Sequence, residues 1–441
     1  MRSSFSFLPL LALPFLALPP AAHGQSGGDL PSLSGYVTET HSSTEVTVDG
    51  RNVRIAPGAT LYAYEGKTRD TLSQPTSFYL GEYLKVYGKT DQTHILRATR
   101  VDRIDAPLDS ISGKAIIDLS PAVSNLRTNE RVLRADGYLL HISPGTELIL
   151  DKPLQALADL GTNQWIEFHG NLRSDGSVSV VSAKVGQNLI SKAESDLHEK
   201  KEFEPAKVTE ADKQTRANKV FLGVNLKKIP AYENAEMQAR VDRIAASLIP
   251  KYQRDLLQTD PTKLKFRFQL VDLPKTNFAF SFANGINLVP YQLVERLGND
   301  SQLAAILADN IAEILEKQAF RSAPAFKMVT ATSWVVTGAE IFVPGIGLAT
   351  GIGLGTDLVG GGIAGHLIEL QNQQSGRVSL CLLHDAGYDL SEAPIAWWLL
   401  AGKENKPLTS IKLPHRALYL YEMLGRAYRP EVMPPAPIPA T

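Results

Sequence analysis

The sequence predicts a multidomain chain in which two small all-β barrels precede an α+β, mostly helical domain. Before residue 187, short segments with alternating apolar residues occur in two matching copies, which is typical of antiparallel strands. After residue 233, apolar residues recur mainly at helical spacing. The length of 441 residues leaves room for two or three domains, because a single core rarely grows beyond about 250–300 residues.

Composition excludes one class of partner. Hydrophobic residues make up 44% of the chain and charged residues 21%, with a net charge of −1. A surface that binds nucleic acid needs an excess of basic residues, so we expect no nucleic acid among the partners. The single cysteine, Cys381, cannot form an intrachain disulfide, and its apolar neighbours predict a small buried core residue.

The amino-terminal segment indicates export. Arg2 is followed by a proline-interrupted apolar run and then by small residues near Ala22 and Gly24, so residues 1–24 are predicted to be a secretory signal peptide. The run is too short to form a stable membrane-spanning helix. We expect a bacterial protein that is periplasmic or secreted.

An internal repeat predicts the two barrels. Residues 48–61 match residues 135–148, and each copy contains one Asp-Gly and one Pro-Gly pair. Such pairs between alternating segments are typical of tight turns between antiparallel strands. The repeat resembles the small OB-like barrel modules of secreted bacterial proteins, and it predicts barrels over about 33–104 and 110–187.

The barrels also suggest a binding role. Barrels of this kind can bind oligonucleotides or glycans on exposed aromatic rings. Aromatic residues in alternating strands are more often part of the core, however, so we interpret the barrels as spacer or protein-contact modules. The candidate aromatic residues are Tyr83, Tyr87, Trp165 and Phe168.

Three further segments are defined by composition. Residues 188–218 are rich in Lys, Glu and Asp, which predicts an exposed helical or flexible linker. Residues 326–370 are rich in glycine and apolar residues, which favours closely packed helices and leaves membrane association as the alternative. The proline-rich tail, residues 429–441, is predicted to be disordered.

Residues 303–315 predict a helix with one apolar face and one polar face. The residues Asn299, Asp300 and Ser301 directly before it are of the types that cap helices. On the opposite side from the apolar residues we expect a solvated polar face, with a replacement metal site as the alternative. The polar residues of that face are Gln302, Asp309, Glu313 and Glu316.

The run over residues 277–318 resembles the zinc metallopeptidase family that contains the CAAX prenyl endopeptidases and the periplasmic proteases of outer-membrane assembly. In that family an Asn-Ala-Phe strand leads into a helix with the motif His-Glu-x-x-His, which this chain replaces with Asp309-Asn310-Ile-Ala-Glu313. A second landmark, Ala-Gly-Tyr-Asp at residues 386–389, places Asn372 at the third ligand position. The resemblance covers residues 219–428 and implies a metallopeptidase-like domain, with the segment from residue 413 as its closing helix.

The resemblance also implies that catalysis is lost. The family's two histidines bind zinc, and the glutamate between them activates the zinc-bound water. Asp309, Glu313 and Asn372 offer oxygen atoms, which suit hard cations better than zinc. Asn310 cannot accept a proton at physiological pH, so no catalytic residue is intact. We therefore expect a pseudopeptidase without a cofactor.

Two alternatives remain open. The first is an active metalloendopeptidase that holds zinc or another divalent cation at a non-standard site. The second is a structural component of the cell envelope.

The remaining function implied by the resemblance is peptide binding. Relatives present an edge strand to extended substrates, and such a strand offers unpaired N–H and C=O groups to a peptide. We expect the partners to be envelope proteins or extended peptides. The candidate peptide-binding residues are Asn277, Ala279, Phe280, Phe282 and Gly285.

Overall fold

The computed structural model describes ten stretches of the chain. They are residues 30–65, 68–72, 77–105, 109–125, 130–199, 231–273, 278–318, 320–321, 363–401 and 414–429. The expected signal peptide, the linker beyond residue 199, Asn277, most of the glycine-rich segment (residues 326–362) and the tail from residue 430 lie outside the described residues.

The first β-barrel is a ring of five strands with a sixth strand attached. The ring runs in the order β2, β1, β5, β6 and β3, and pairing of β3 with β2 closes it, while β4 is added to β3. Asp49 and Gly50 form the β2–β3 turn with φ angles of 45° and 74°, as expected for a two-residue hairpin turn. The strands are β1 (Leu33–Ser42), β2 (Glu45–Val48), β3 (Arg51–Glu65), β4 (Thr68–Leu72), β5 (Tyr83–Thr90) and β6 (Leu96–Ile104).

The second barrel repeats this plan. Its ring runs in the order β12, β11, β7, β8 and β9, pairing of β9 with β12 closes it, and β10 is added to β12. Asp136 and Gly137 form the matching turn with φ angles of 56° and 72°. The prediction of two small barrels is therefore confirmed. The strands are β7 (Ser110–Asn125), β8 (Glu130–Ala135), β9 (Tyr138–Ile142), β10 (Glu147–Leu150), β11 (Gln164–Leu172) and β12 (Val178–Gln187).

A mostly helical region follows the barrels. A short helix, α1 (Lys192–Glu199), comes directly after the second barrel. A three-stranded sheet in the order β13, β15, β14 lies beside helix α5, and α5 also packs against α2, α6 and α7. These elements are α2 (Ala235–Leu248), α3 (Lys251–Asp255), β13 (Arg267–Val271), β14 (Phe280–Ser281), β15 (Ile286–Pro290), α4 (Tyr291–Arg296), α5 (Asp300–Leu315), α6 (Ile363–Asp385), α7 (Glu392–Leu400) and α8 (His415–Ala427).

Ion pairs dock the second barrel onto the helical region. Arg134 on β8 binds Asp118 of its own barrel at 2.8 Å and donates to Asp385 at the end of α6 at 3.0 Å. Arg377 on α6 binds Asp136 in the hairpin turn at 2.8 Å. Residues of both barrels also pack against the helical core. The second barrel therefore contacts the helical region directly, and the role of the barrels as spacer or protein-contact modules stays a prediction.

Close backbone approach docks the first barrel. A Cβ atom built at Gly81, which has a φ angle of +80°, would lie 1.9 Å from the carbonyl oxygen of Tyr421 on α8. The facing residue on α8 is Gly425, where a Cβ atom would lie 2.3 Å from the Gly81 oxygen. Two glycines therefore permit this barrel to touch the helix.

Two further expectations concern the burial of Cys381 and the presence of helices that could span a membrane. Cys381 is buried within α6, as the sequence predicted. None of the helices in the described stretches is both long and apolar enough to cross a membrane.

Candidate functional site

Helix α5 carries three of the positions singled out by the sequence. It begins as predicted, because the Asn299 side chain accepts a hydrogen bond from the backbone N–H of Gln302 at 2.8 Å. It then runs without interruption to Leu315. Asp309 and Glu313 therefore lie one helical turn apart, with Asn310 directly after Asp309.

The polar side of α5 is buried, which corrects the expectation of a solvated face. The exposed fractions of Asp309, Asn310 and Glu313 are 1%, 3% and 2%. Helices α6 and α7 pack against α5 together with strand β14. Carboxylates removed from water need partners, because an isolated buried charge is strongly destabilising.

Asp309 has its partner on α8. The Arg416 guanidinium forms an ion pair with the Asp309 carboxylate, and the two side chains are 8% and 1% exposed. Arg416 also donates to the Ser375 hydroxyl at 2.8 Å and to the Asn372 side-chain oxygen at 3.3 Å. Two residues that the resemblance places at metal-ligand positions, Asp309 and Asn372, therefore share one guanidinium.

A contact with an aromatic ring also holds the guanidinium in place. Its central carbon lies 4.1 Å from the centre of the Trp397 ring on α7, which is a favourable position for a cation over an aromatic face. Burial raises the pKa of the Asp309 carboxyl above its usual range, while the Arg416 guanidinium and the Ser375 hydroxyl act in the opposite direction. The cluster thus links α5, α6, α7 and α8.

Glu313 faces a different neighbour. The Ser281 hydroxyl on β14 donates to the Glu313 carboxylate at 2.5 Å. Asn310 has an amide nitrogen without a hydrogen-bond partner in the described part of the chain. Within these same stretches, no group of three or more His, Cys, Asp or Glu side chains is arranged to hold a metal ion.

Sequence reasoning did not find the role of Arg416. The resemblance places Arg416 in the family's closing segment without a partner, and Arg416 is 107 residues from Asp309. Helical periodicity contains no information about contacts over such a separation. The need for a cation from another element follows from the burial of Asp309, which the structure shows and the sequence does not.

The side chains of the candidate peptide-binding strand are buried. Strand β14 pairs with β15 through Phe280 and Leu288, and Ala279, Phe280 and Phe282 are each less than 9% exposed. Strand β14 nevertheless lies at the edge of its sheet, in the order β13, β15, β14, so peptide binding along it stays a prediction. Gly285 has a φ angle of +90° in the turn before β15, where the absence of a side chain permits the conformation.

Helix α1 lies beside this strand and the end of α5. Glu194 on α1 binds Lys317 at 2.7 Å, and their side chains are 3% and 14% exposed. The start of the predicted linker is thus helical as expected but docked rather than exposed. The small cleft between α1, β14 and α5 is lined by Glu194, His198, Ser281, Phe282, Ala283, Glu313, Ile314, Lys317, Gln318 and Phe320.

The docking of α1 is expected to weaken in acid. Burial lowers the pKa of His198 below its ordinary value of 6.5, Lys317 lowers it further, and Glu194 opposes both effects. Glu313 and Lys317 are the charged groups that line the cleft from the α5 side. Because the docked form prefers neutral His198, this contribution is complete above pH 6.5 and is lost as the pH falls through the lowered pKa.

Hydrogen exchange of the α1 amides measures this effect. After correction for the intrinsic rates, α1 should be less protected at about pH 5 than at about pH 7.5, and His198→Gln should remove most of the difference. Equal pH dependence in both proteins would show that another group controls the docking.

The candidate aromatic platforms are engaged within the protein. Phe168 is buried in the core of the second barrel. Trp165 packs against the helical region, and Lys317 lies 5.9 Å from its ring centre. Tyr83 makes an edge contact with Tyr36 at 5.1 Å, and the Arg100 guanidinium lies 4.4 Å from the Tyr87 ring. The interpretation of these rings as packing residues is confirmed for Phe168.

Comparison with known proteins adds no relative. No protein-family model matches the chain, and no curated protein matches it either. The function is therefore inferred from the geometry of the site.

Proposed function

We propose that this protein is a catalytically inactive, metallopeptidase-like protein of the cell envelope, periplasmic or secreted, that acts by binding proteins or peptides. One observation carries the proposal: the Arg416 guanidinium binds Asp309 and Asn372, the residues that correspond to two of the family's zinc ligands. A side-chain cation thus lies where the resemblance would put the metal.

The residues do not fit zinc. The Oδ1 atoms of Asp309 and Asn372 already accept hydrogen bonds from Arg416, and a zinc ion beside this guanidinium in a buried site would be repelled strongly. Imidazole and thiolate are the groups that zinc favours, and neither occurs at the three inferred positions. Asn310 at the position of the catalytic glutamate cannot take a proton from water. No hydrolytic step follows from this arrangement.

Binding of proteins or peptides is the role that this arrangement still permits. The ion pairs between the second barrel and the helical region hold these two modules in a fixed arrangement, and a fixed surface loses little entropy when it binds a partner. The region between β14, α5 and α1 is the proposed binding site. Contact of the glycine-rich segment with a membrane stays a further proposal, since residues 326–362 lie outside the described stretches.

An observation also favours the structural alternative. Polar contacts join the second barrel to the helical region at several points, including a hydrogen bond that Asn163 donates to Thr262 at 2.7 Å. Such rigidity suits a fixed envelope component as well as it suits a binding protein.

The test compares binding and hydrolysis by the same purified chain. We expect unfolded casein to remain intact in the presence of added zinc, with no difference after addition of a chelator, because the site has neither the metal ligands nor the base. The immobilised chain should retain a reproducible set of envelope peptides in the same buffer. Hydrolysis that the chelator stops would contradict the proposal, and absence of both hydrolysis and binding would favour the structural alternative.

A further inference from the structure

The buried Glu194–Lys317 ion pair anchors a helix that is too short to be stable alone. Isolated helices of fewer than about 12–15 residues are marginal in water, and α1 has 8 residues. Among the side chains of α1 that the structure describes, that of Glu194 is the buried one. Among the α1 side chains that the structure describes, the Glu194 carboxylate therefore supplies the buried contact with Lys317.

Lys317 is placed to receive such a carboxylate. It follows the carboxyl end of α5 with a φ angle of 53°. Its ammonium group donates to the carbonyl oxygen of Leu189 at 3.3 Å and lies 5.9 Å from the centre of the Trp165 ring. With a side chain only 14% exposed, Lys317 needs an anion, because removal of one partner from a buried pair is costly.

From these contacts we infer that the segment 188–199 is an internal ligand of the cleft, and that the partner is a peptide segment with an acidic side chain that replaces Glu194 at Lys317. This inference rests on the proposed binding function and specifies its ligand. An ion pair can be exchanged for an equivalent pair, whereas a segment held by apolar packing would need a partner of matching shape.

The short connection between β12 and α1 explains why α1 occupies the cleft in the free protein. The segment leaves strand β12 at Gln187, only a few residues before Glu194. A ligand tethered so closely has an effective concentration in the millimolar range. A free peptide of the same sequence must therefore compete poorly until the internal contact is weakened.

The experiment uses the full chain and a labelled synthetic peptide of residues 188–199. Glu194→Gln weakens the internal ligand but leaves Lys317 in place. Compared with the wild type, this variant should bind the peptide at least about tenfold more tightly, and its α1 amides should exchange faster. Glu236→Gln, which removes an exposed carboxylate on α2, serves as the matched control and should behave like the wild type. The same peptide with glutamine at the position of Glu194 should bind weakly to every variant.

Each outcome is decisive. Equal peptide binding by the wild type and Glu194→Gln would overturn the inference, as would faster α1 exchange without any gain in peptide binding. A second variant, Lys317→Met, should lose binding of the acidic peptide, and retention of binding would also overturn it. If Glu194→Gln binds the peptide but captures no envelope protein or peptide, the inference stands while the proposed function fails.

Discussion

Replacing Arg416 with alanine is expected to lower the free energy of unfolding by about 3–5 kcal/mol, because it leaves the buried Asp309 carboxylate without its partner. The substitution also removes the donors to Asn372 and Ser375 and the contact with Trp397. Chemical denaturation of the wild type and the variant measures the difference.

Two comparisons separate the ion pair from other effects. The double variant Asp309→Leu with Arg416→Met removes both charges and should recover much of the loss, since an apolar pair of similar size can replace a buried ion pair. Arg243→Ala breaks an exposed pair with Asp300, in which the Arg243 side chain is 64% exposed, and should have a much smaller effect on stability. A loss below about 1 kcal/mol for Arg416→Ala would mean that Asp309 does not depend on it.

Gly81→Ala is expected to separate the first barrel from α8. The new Cβ atom would lie 1.9 Å from the Tyr421 oxygen and 2.5 Å from the Gly425 nitrogen, and backbone atoms of a helix cannot move aside locally. Thermal unfolding should show a clear loss of stability. Hydrogen exchange should show reduced protection of the α8 amides facing the barrel.

Gly58→Ala is the matched control within the same barrel. Gly58 has the same φ angle of +80°, but no atom lies within 4 Å of its built Cβ position. It should therefore show only the cost of the left-handed conformation, about 1–2 kcal/mol. The Gly81 variant should lose about 1–3 kcal/mol more because of the collision. Equal losses would indicate that the barrel does not contact the helix in solution.

The parts of the fold that the sequence predicted are those determined by neighbouring residues. The Asp49-Gly50 and Asp136-Gly137 turns require positive φ angles, which these residue types tolerate, so both hairpins were recognisable. The start of α5 was also recognisable, because Asn299 caps the helix through a local hydrogen bond.

The features that the sequence did not predict depend on contacts between residues that are far apart in the chain. Helical periodicity placed Asp309 and Glu313 on one side of α5 but could not show that other elements cover that side. The partner of Asp309 comes from α8, and the partner of Glu194 comes from the end of α5. A charged segment is normally interpreted as solvated, so the docking of α1 was also missed. In both cases a buried charge has a partner that lies far away in the sequence.

The zinc content of the purified chain tests the central claim most directly. The chain should be saturated with zinc, passed through a desalting column and analysed for metal beside an Asp309→Asn variant, which keeps the shape of the side chain. Our account predicts well below one zinc per chain and the same value for both proteins, because Arg416 already binds Asp309 and Asn372. One zinc per wild-type chain that is lost in Asp309→Asn would contradict it.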